Sequence, residues 1–463
     1  MKLFLSTLCA CLSTTLLLAQ DYAGYRTSSQ NGVNGVFFNP ASIAGSRYRW
    51  DANVFSISTF AGNNQASFQL KNLGNSFNSD SLRNQLFGKE AGAASGMASV
   101  DIHGPSFMLS KGKWGFAVTT RIRAMANVSD VDGKLVNKIT EDFQNDPQLP
   151  YTISSGKNMR VTANGWTEFG LSAARVLVDE GSHVLKAGAT VKYLAGAANA
   201  YMNIDGFTGT LNSDLLRQDV YLSNSSGKIA AGFGGARLSG FDIGQLTKMT
   251  SKGVGADLGV VYEFRPGGDK TESYKLKAGV SLLDIGSIRY RKDAQRSGAY
   301  TIAISGNERL YFDELSGLEL DDYKNFFNSR PALFTPAADN GQTTYSMALP
   351  ATLNTEIDYH ILNGFYVHLG SFLSIAGESK LANSFYKNSV ALTPRYEGKL
   401  ARFWLPLSYN ELTKWNAGIS VQVGPVFVGS GSVITALTGH SKQADFHAGV
   451  RFGKLLDTRK AAD

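Results

Sequence analysis

The chain has 463 residues, 45 Lys and Arg against 38 Asp and Glu, a formal net charge of +7 and only two cysteines. The basic excess is spread singly along the chain, not in blocks, which excludes a nucleic-acid-binding protein as the first reading. Past residue 19 no run approaches the roughly 18 apolar residues of a spanning helix, and the mean hydropathy is only -0.13. A β-barrel escapes both tests, because every second residue of its strands is polar.

Residues 1–19 read as a signal peptide: Lys2 supplies the positive start, Leu3 to Leu18 the apolar core, and Ala19-Gln20 the cleavage point. Lipid attachment at Leu8-Cys9-Ala10-Cys11 is the alternative. Both cysteines lie here, so the mature chain has neither a disulfide nor a thiolate ligand. An exported chain without bridges needs another means of hiding strand edges, and a sheet closed on itself supplies it. Residues 20–47 are rich in Gly and Asn, end in Phe37-Phe38-Asn39-Pro40-Ala41-Ser42, and have no periodicity. They read as a lead-in or as a plug inside a barrel.

From residue 48 the chain alternates with period two, the mark of a two-faced strand. The first strand is Tyr48 to Phe60. The second, Met97 to Ser110, carries Asp101 and His103 on one face and bulges at Gly104-Pro105. The third, Trp114 to Val128, sets Trp114, Phe116, Val118, Ile122, Ala124 and Ala126 against Thr119, Arg121 and Arg123. It is longer than the 9–11 or so residues a tilted strand needs to cross a bilayer. The fourth, Met159 to Val178, turns Phe169 and Leu171 out and Glu168 in. The fifth turns Leu185, Val191 and Tyr193 out and Lys186 and Lys192 in. The sixth, Gly253 to Phe264, opposes Val254, Leu258 and Val260 to Asp257 and Glu263. The seventh, Tyr274 to Tyr290, opposes Leu276, Val280 and Leu282 to Lys275 and Lys277. The eighth alternates Leu349, Leu353, Ile357 and Tyr359 with Asn354, Glu356, Asp358 and His360. Asn363-Gly364 is a hairpin turn into Phe365, Val367 and Leu369, with Tyr366 and His368 inward. Five shorter strands follow, near 390–397, 401–410, 415–423, 426–434 and 444–452.

These fourteen strands, an even number, predict an all-β fold: a transmembrane antiparallel β-barrel of about 14 strands, residues 48–453, in the outer membrane and solvated by its lipid. Residues 454–463 are a C-terminal tail. Turns near Gly112, Gly181, Pro266, Asn363 and Gly398 are short, whereas 61–96, 129–158, 203–250 and 291–344 are long, the asymmetry of periplasmic turns and extracellular loops.

No catalytic motif is present: no G-x-S-x-G, no P-loop, no H-E-x-x-H, so the expectation is a non-enzyme without cofactor or metal. Arg121, Arg123, Glu168, Asp257, Glu356, Asp358 and His368 are expected in the lumen, where mixed signs mean ion pairs and a wet or plugged interior. Repeated inward glycines, as in Lys186-Ala187-Gly188 and Lys277-Ala278-Gly279, leave room for lumen contents. In the long segments Leu82, Leu86 and Phe87, then Phe233 and Phe241, then Tyr323, Phe326 and Phe327 form apolar clusters. They either pack on one another or face an apolar ligand or a protein partner.

Phe38-Asn39-Pro40-Ala41, placed between an exported N-terminus and a first strand, resembles the N-terminal motif of FadL-like outer-membrane barrels, the hydrophobic-compound transporters. It also resembles the PorV-like barrels of type IX secretion. Leu185 to Leu194, and Asp257-Leu258-Gly259-Val260 with Leu283-Asp284-Ile285-Gly286, look like strands of the same group. The resemblance implies about fourteen strands, a hatch made of residues 20–47 that holds Phe37, Phe38, Asn39, Pro40 and Ala41, and uptake of an apolar small molecule. The alternative is a scaffold for a secreted or membrane-bound protein. The charged lumen and the long segments 203–250 and 291–344 depart from the transporter pattern.

Overall fold

The computed structural model describes residues 22–72, 85–86, 92–133, 135, 149–154, 158–236, 251–266, 274–315, 318, 322–337, 341–376 and 381–455. Its wall is a closed barrel of 14 antiparallel strands. In chain order they are β1 Tyr48–Asn63, β2 Ala93–His103 with Ser106–Lys111, β3 Trp114–Asp132, β4 Met159–Glu180, β5 His183–Asp214, β6 Ser251–Phe264 and β7 Leu276–Arg291. Then come β8 Thr344–Ala348 with Thr352–Leu362, β9 Phe365–Ser374, β10 Ser389–Glu397, β11 Ala401–Trp404 with Leu407–Asn410, β12 Lys414–Ala417 with Ile419–Val423, β13 Val426–Ser430 and β14 Gln443–Leu455. Each pairs with the next, and β14 closes on β1 from Gly62 opposite Gln443 to Tyr48 opposite Leu455. No described edge is left open to lipid, as a membrane requires. The last strand runs to Leu455, two residues past the expected boundary.

The alternation holds along the wall. Val254 is 72% exposed, Val191 66% and Leu171 65%, whereas Arg123, Glu168 and Asp257 are almost completely buried. On a protein surface such a band of exposed aliphatic side chains has one solvent, hydrocarbon. The chain is therefore an outer-membrane barrel.

Two residues depart from the expected parity. Leu349 faces inward and is buried, because Leu349-Pro350-Ala351 interrupts β8 and resets its phase. Lys275 lies one residue before β7 begins. Its ammonium sits 4.7 Å from the outward Tyr359 ring and donates to the Ile361 carbonyl at 3.1 Å, so it belongs to the rim and not to the lumen.

Among the described residues, much of the long segments 203–250 and 291–344 is paired strand. β5 continues 32 residues, and above the membrane it pairs with Asp219–Gly235, which pairs in turn with Gly298–Ile304. Tyr151–Ser154 and Phe334–Pro336 extend this hood, and the helix α1, Tyr323–Ser329, belongs to its apolar core.

Candidate functional site

Inside the wall, residues 22–47 fill the periplasmic half of the lumen. Three short 3-10 turns, Tyr25–Thr27, Gly32–Phe37 and Pro40–Ile43, carry it. Asn39 caps the third, its side chain accepting from the Ala41 N–H at 3.0 Å, the usual service of Asn at a helix start. The Asn39 amide then donates to the Val260 and Val280 carbonyls on the wall. Facing it are small residues. A Cβ on Gly188 would stand 2.6 Å from the Pro40 carbonyl, one on Gly115 2.3 Å from the Ile43 oxygen, and one on Gly259 2.0 Å from the Asn39 side-chain oxygen. The inward glycines make room for this segment.

Its hold on the wall is unequal. Toward β14 and β1, Arg451 pairs with Asp51 and donates to the Gln30 carbonyl, while Asp51 accepts from the Val33 N–H at 2.8 Å. Toward β10, Glu397 accepts from the Ser29 N–H at 2.9 Å and from its hydroxyl. Glu397 and Asp358 are both ion-paired to Arg395. Toward β7 and β8 the contacts are neutral hydrogen bonds, Ser281 donating to the Phe38 carbonyl at 2.7 Å and Asn354 at 3.5 Å besides the Asn39 bonds, and beside them lies a cavity of about 70 Å³, lined among others by Arg26, Phe38, Asn39, Asn354, His368 and Thr393. The buried Asn354 Oδ1, His368 Nδ1 and Thr393 Oγ1 have no hydrogen-bond partner. Such a cavity has room for several waters, which would satisfy them.

The inward residues of β3 read off the layers in order. Gly115 and Ala117 meet the plug segment, Arg121 and Arg123 come next, then Met125, then Asn127. The arginines belong to one buried ion-pair layer. Arg121 grips Asp101 through two bonds of 2.7 and 2.6 Å. Arg123 reaches Asp284 at 2.7 Å and Glu168 at 3.0 Å. Lys192 reaches Asp284 at 2.6 Å, Asp257 at 2.8 Å and Glu168 at 3.6 Å. Trp166 donates to Glu168 at 2.7 Å. A separate pair of contacts joins Glu356 to Lys277 at 3.1 Å and to His368 at 3.3 Å. On the same level Phe37 of the plug stacks on His103 with ring centroids 3.8 Å apart, beside the break in β2 between His103 and Ser106.

Above the ions the lumen turns apolar. Phe60, Met97, Met125, Trp166, Leu194, Tyr201, Ile288, Tyr290, Met347 and Leu349 form one buried cluster. Residues 381–388 fold down into it. Asn127 clasps the Phe385 peptide, donating to its carbonyl at 2.9 Å and accepting from its N–H at 3.2 Å. Asn199 donates to the Ala382 carbonyl at 3.3 Å, and the Ala348 N–H donates to Asn383 at 2.8 Å. Arg123 donates to the Tyr386 hydroxyl at 2.8 Å, tying this segment to the ion layer.

Of the residues expected to act, Arg121, Arg123, Glu168 and Asp257 come together in one layer, Glu356 and His368 in a second group, and Asp358 in a third with Arg395 and Tyr274. Asp284 and residues 381–388 were not expected. Asp284 sits at a bulge with φ near 59°, so the parity of β7 hides its direction. Residues 381–388 carry no periodic signal. Their trace in the sequence is the run of inward Asn127, Asn164 and Asn199 with Arg160 near the mouth, three amides and a guanidinium whose partners are that segment.

Phe233, Tyr323 and Phe327 converge on a crevice of about 10 Å³ in the hood with Met202, Ile229 and Tyr300, and Phe326 packs against the same core. Met202, Ile229 and Phe233 alternate with Tyr201, Ala230 and Gly232, so this crevice is on the other face of the sheet from the lumen cluster. Burial raises the Tyr323 hydroxyl above its usual pKa and leaves it without a partner. Leu86 is buried. Leu82, Phe87 and Phe241 lie outside the described residues, as do residues 1–19.

The sequence matches the pattern of DUF5723, described as a family of unknown function, over residues 40–431. The chain belongs to that family. A search of curated proteins finds no match. Among solved structures this member of the family is similar to the toluene transporter TbuX of Ralstonia pickettii at 12% identity, covering 92% of this chain and 95% of that one with a TM-score of 0.40. It is also similar to a FadL homologue of Pseudomonas aeruginosa at 10% identity, 94% and 98% coverage and TM-score 0.43. A third is a TodX deletion mutant titled a monoaromatic hydrocarbon channel, at 9% identity, 96% and 98% coverage and TM-score 0.45.

Proposed function

We propose that the barrel passively admits an apolar small molecule from outside the cell. The observation that carries this reading is the mouth of the lumen. Most barrel interiors are polar, whereas this one opens outward through a cluster that includes Phe60, Trp166, Leu194, Tyr201 and Tyr290. Its present occupants, Ala382 and Tyr386 with Leu381 packed against them, belong to the chain itself. Residues 381–388 are held by amide hydrogen bonds, each worth about 1 kcal/mol net, and by two guanidinium donors, Arg123 and Arg160, worth about 1.5–3 kcal/mol each, so an apolar ligand that displaces Ala382 and Tyr386 from the cluster has a small set of contacts to break. Beyond the mouth the path meets the ion layer and then Phe37 to Ala41, whose displacement is the hatch step of this reading. The hood residues Phe233, Tyr323, Phe326 and Phe327 pack on one another and take no part.

The test is uptake of toluene and of a long-chain fatty acid by cells with and without the gene, and with residues 381–388 replaced by a Gly-Ser linker. Uptake that follows the gene and rises with the linker supports the reading. Permeability unchanged by the gene ends it. A second reading, a scaffold for a protein partner, draws on the hairpin tip Leu215-Leu216, where Leu216 is 99% exposed. A stoichiometric protein that leaves the barrel when both leucines are changed to Ser would favour it.

A further inference from the structure

The lipid-facing rim at the periplasmic end is chemically one-sided. Across β14, β1, β2, β3 and β4 the register sets Lys454 opposite Trp50, Lys111 opposite Trp114, and Trp114 opposite Arg175. The Arg175 guanidinium lies 5.0 Å from the Trp114 ring, and Trp50 stacks on Phe107. Lys111, Lys113, Arg175 and Lys454 are exposed, and among the described residues none of the four is in an ion pair. The sector ends at Asp179 and Glu180, the last residues of β4. Elsewhere on this rim Lys275 is engaged by Tyr359 and the Ile361 carbonyl and Arg265 by Glu263, and Lys399 stands exposed by itself in the β10–β11 turn. The β8–β9 and β12–β13 turns are flanked by Leu362, Phe365, Val423 and Val426.

We propose that this sector binds the phosphate headgroup of an anionic phospholipid of the inner leaflet. Tryptophan at the interface fixes depth, since its ring is apolar and its N–H is wet. Each Lys or Arg held near an anionic surface contributes about 1 kcal/mol. Four on one arc, with no ion-paired carboxylate among the described residues, favour a phosphodiester that carries net charge over a zwitterionic headgroup. The apolar belt immediately above supplies the surface for the acyl chains, so the occupant is a lipid and not free phosphate.

The experiment is native mass spectrometry of the purified mature barrel given phosphatidylglycerol or phosphatidylcholine at matched concentration. The barrel should retain phosphatidylglycerol at least about tenfold better. The variant K111Q/K113Q/R175Q/K454Q should lose that preference, whereas K275Q/K399Q, on the opposite arc, should keep it. Folding of each is read from heat-modifiable gel mobility. If the fourfold variant does not fold, raising salt from about 0.05 to 0.5 M on the unaltered barrel must erase the preference. Equal retention of the two lipids, or a preference that survives the fourfold change or high salt, overturns the proposal.

Discussion

Replacing Lys192 by Met tests whether the ion layer is a single electrostatic unit. Formally the layer holds three cations, Arg121, Arg123 and Lys192, and four carboxylates, Asp101, Glu168, Asp257 and Asp284, a net of -1 that becomes -2 when Lys192 is lost. The ammonium has Asp284 at 2.6 Å, Asp257 at 2.8 Å and Glu168 at 3.6 Å, and its side chain is 5% exposed. After the change Asp284 keeps Arg123 at 2.7 Å. Asp257 keeps its bond from the Asp284 N–H at 2.7 Å, but it faces the Asp284 carboxylate with no cation between them. Removing one partner of a buried pair costs about 3–5 kcal/mol, because a charge is left uncompensated. Methionine fills nearly the same volume, so packing adds little. The assay is urea unfolding of the barrel in lipid vesicles, followed by tryptophan fluorescence, where Trp166 reports from within the layer. The double change Lys192→Met with Asp257→Asn should recover most of the loss, a coupling of roughly 2–3 kcal/mol. A single variant that costs under about 1 kcal/mol, or a double variant whose cost is the sum of the two, would refute the reasoning.

Three further outcomes follow from the layers. Val118→Arg, on the lipid face at 55% exposure, should cost about 2–4 kcal/mol in the same unfolding assay if it lies near mid-membrane. Gly188→Val should push Pro40 from its seat, since even a Cβ there would come within 2.6 Å of it. Proteolysis from the periplasmic side should then clip residues 22–47 several times faster while the barrel stays folded. Tyr386→Phe removes the bond from Arg123, worth about 1.5–3 kcal/mol for a charged donor, and should raise uptake through the mouth; uptake that falls instead would mean the hydroxyl serves the ligand.

All fourteen wall strands were legible because a barrel in lipid must alternate, and alternation survives in the sequence wherever the backbone is regular. Legibility failed where it is not. Pro350 interrupts β8 and turns Leu349 inward, a bulge at Asp284 hides the partner of Arg123 and Lys192, and Lys275 was assigned by parity one residue before its strand begins. The hood looked like loops because its strands are paired above the membrane, where both faces are free of the lipid rule. There Ile229, Tyr300 and Ile302 bury themselves against α1 and not against a bilayer. Residues 20–47 carry no periodicity and read only as a lead-in or a plug, while the inward Gly188 points to lumen contents; Gly115 and Gly259, which the same segment also crosses, give no separate signal.

The unequal seating of the plug segment bears on how it would move. Its β14–β1 side is held by Arg451, Asp51 and the Val33 N–H, and by Asn34 against Asn53 at 3.3 Å. The β7–β9 side meets the 70 Å³ cavity with its unpaired Asn354, His368 and Thr393 atoms. Breaking a buried ion pair costs several kcal/mol, whereas the neutral hydrogen bonds from Ser281, Asn354 and Asn39 on the cavity side are worth about 1 kcal/mol each, so in the proposed hatch step displacement would begin on that side. Cysteine pairs can separate the two sides, because Cys9 and Cys11 both fall in the expected signal peptide and the mature chain then has no thiol of its own. Asn39→Cys with Gly259→Cys joins positions where a Cβ on 259 would be 2.9 Å from the Asn39 Cγ, close enough for a bridge. Oxidising that pair should stop uptake, and reduction should restore it. Asn34→Cys with Asn53→Cys, on the ion-paired side, should leave uptake within about twofold of the unaltered barrel. If both bridges stop uptake the segment leaves as a whole, and if neither does, the ligand passes without moving it.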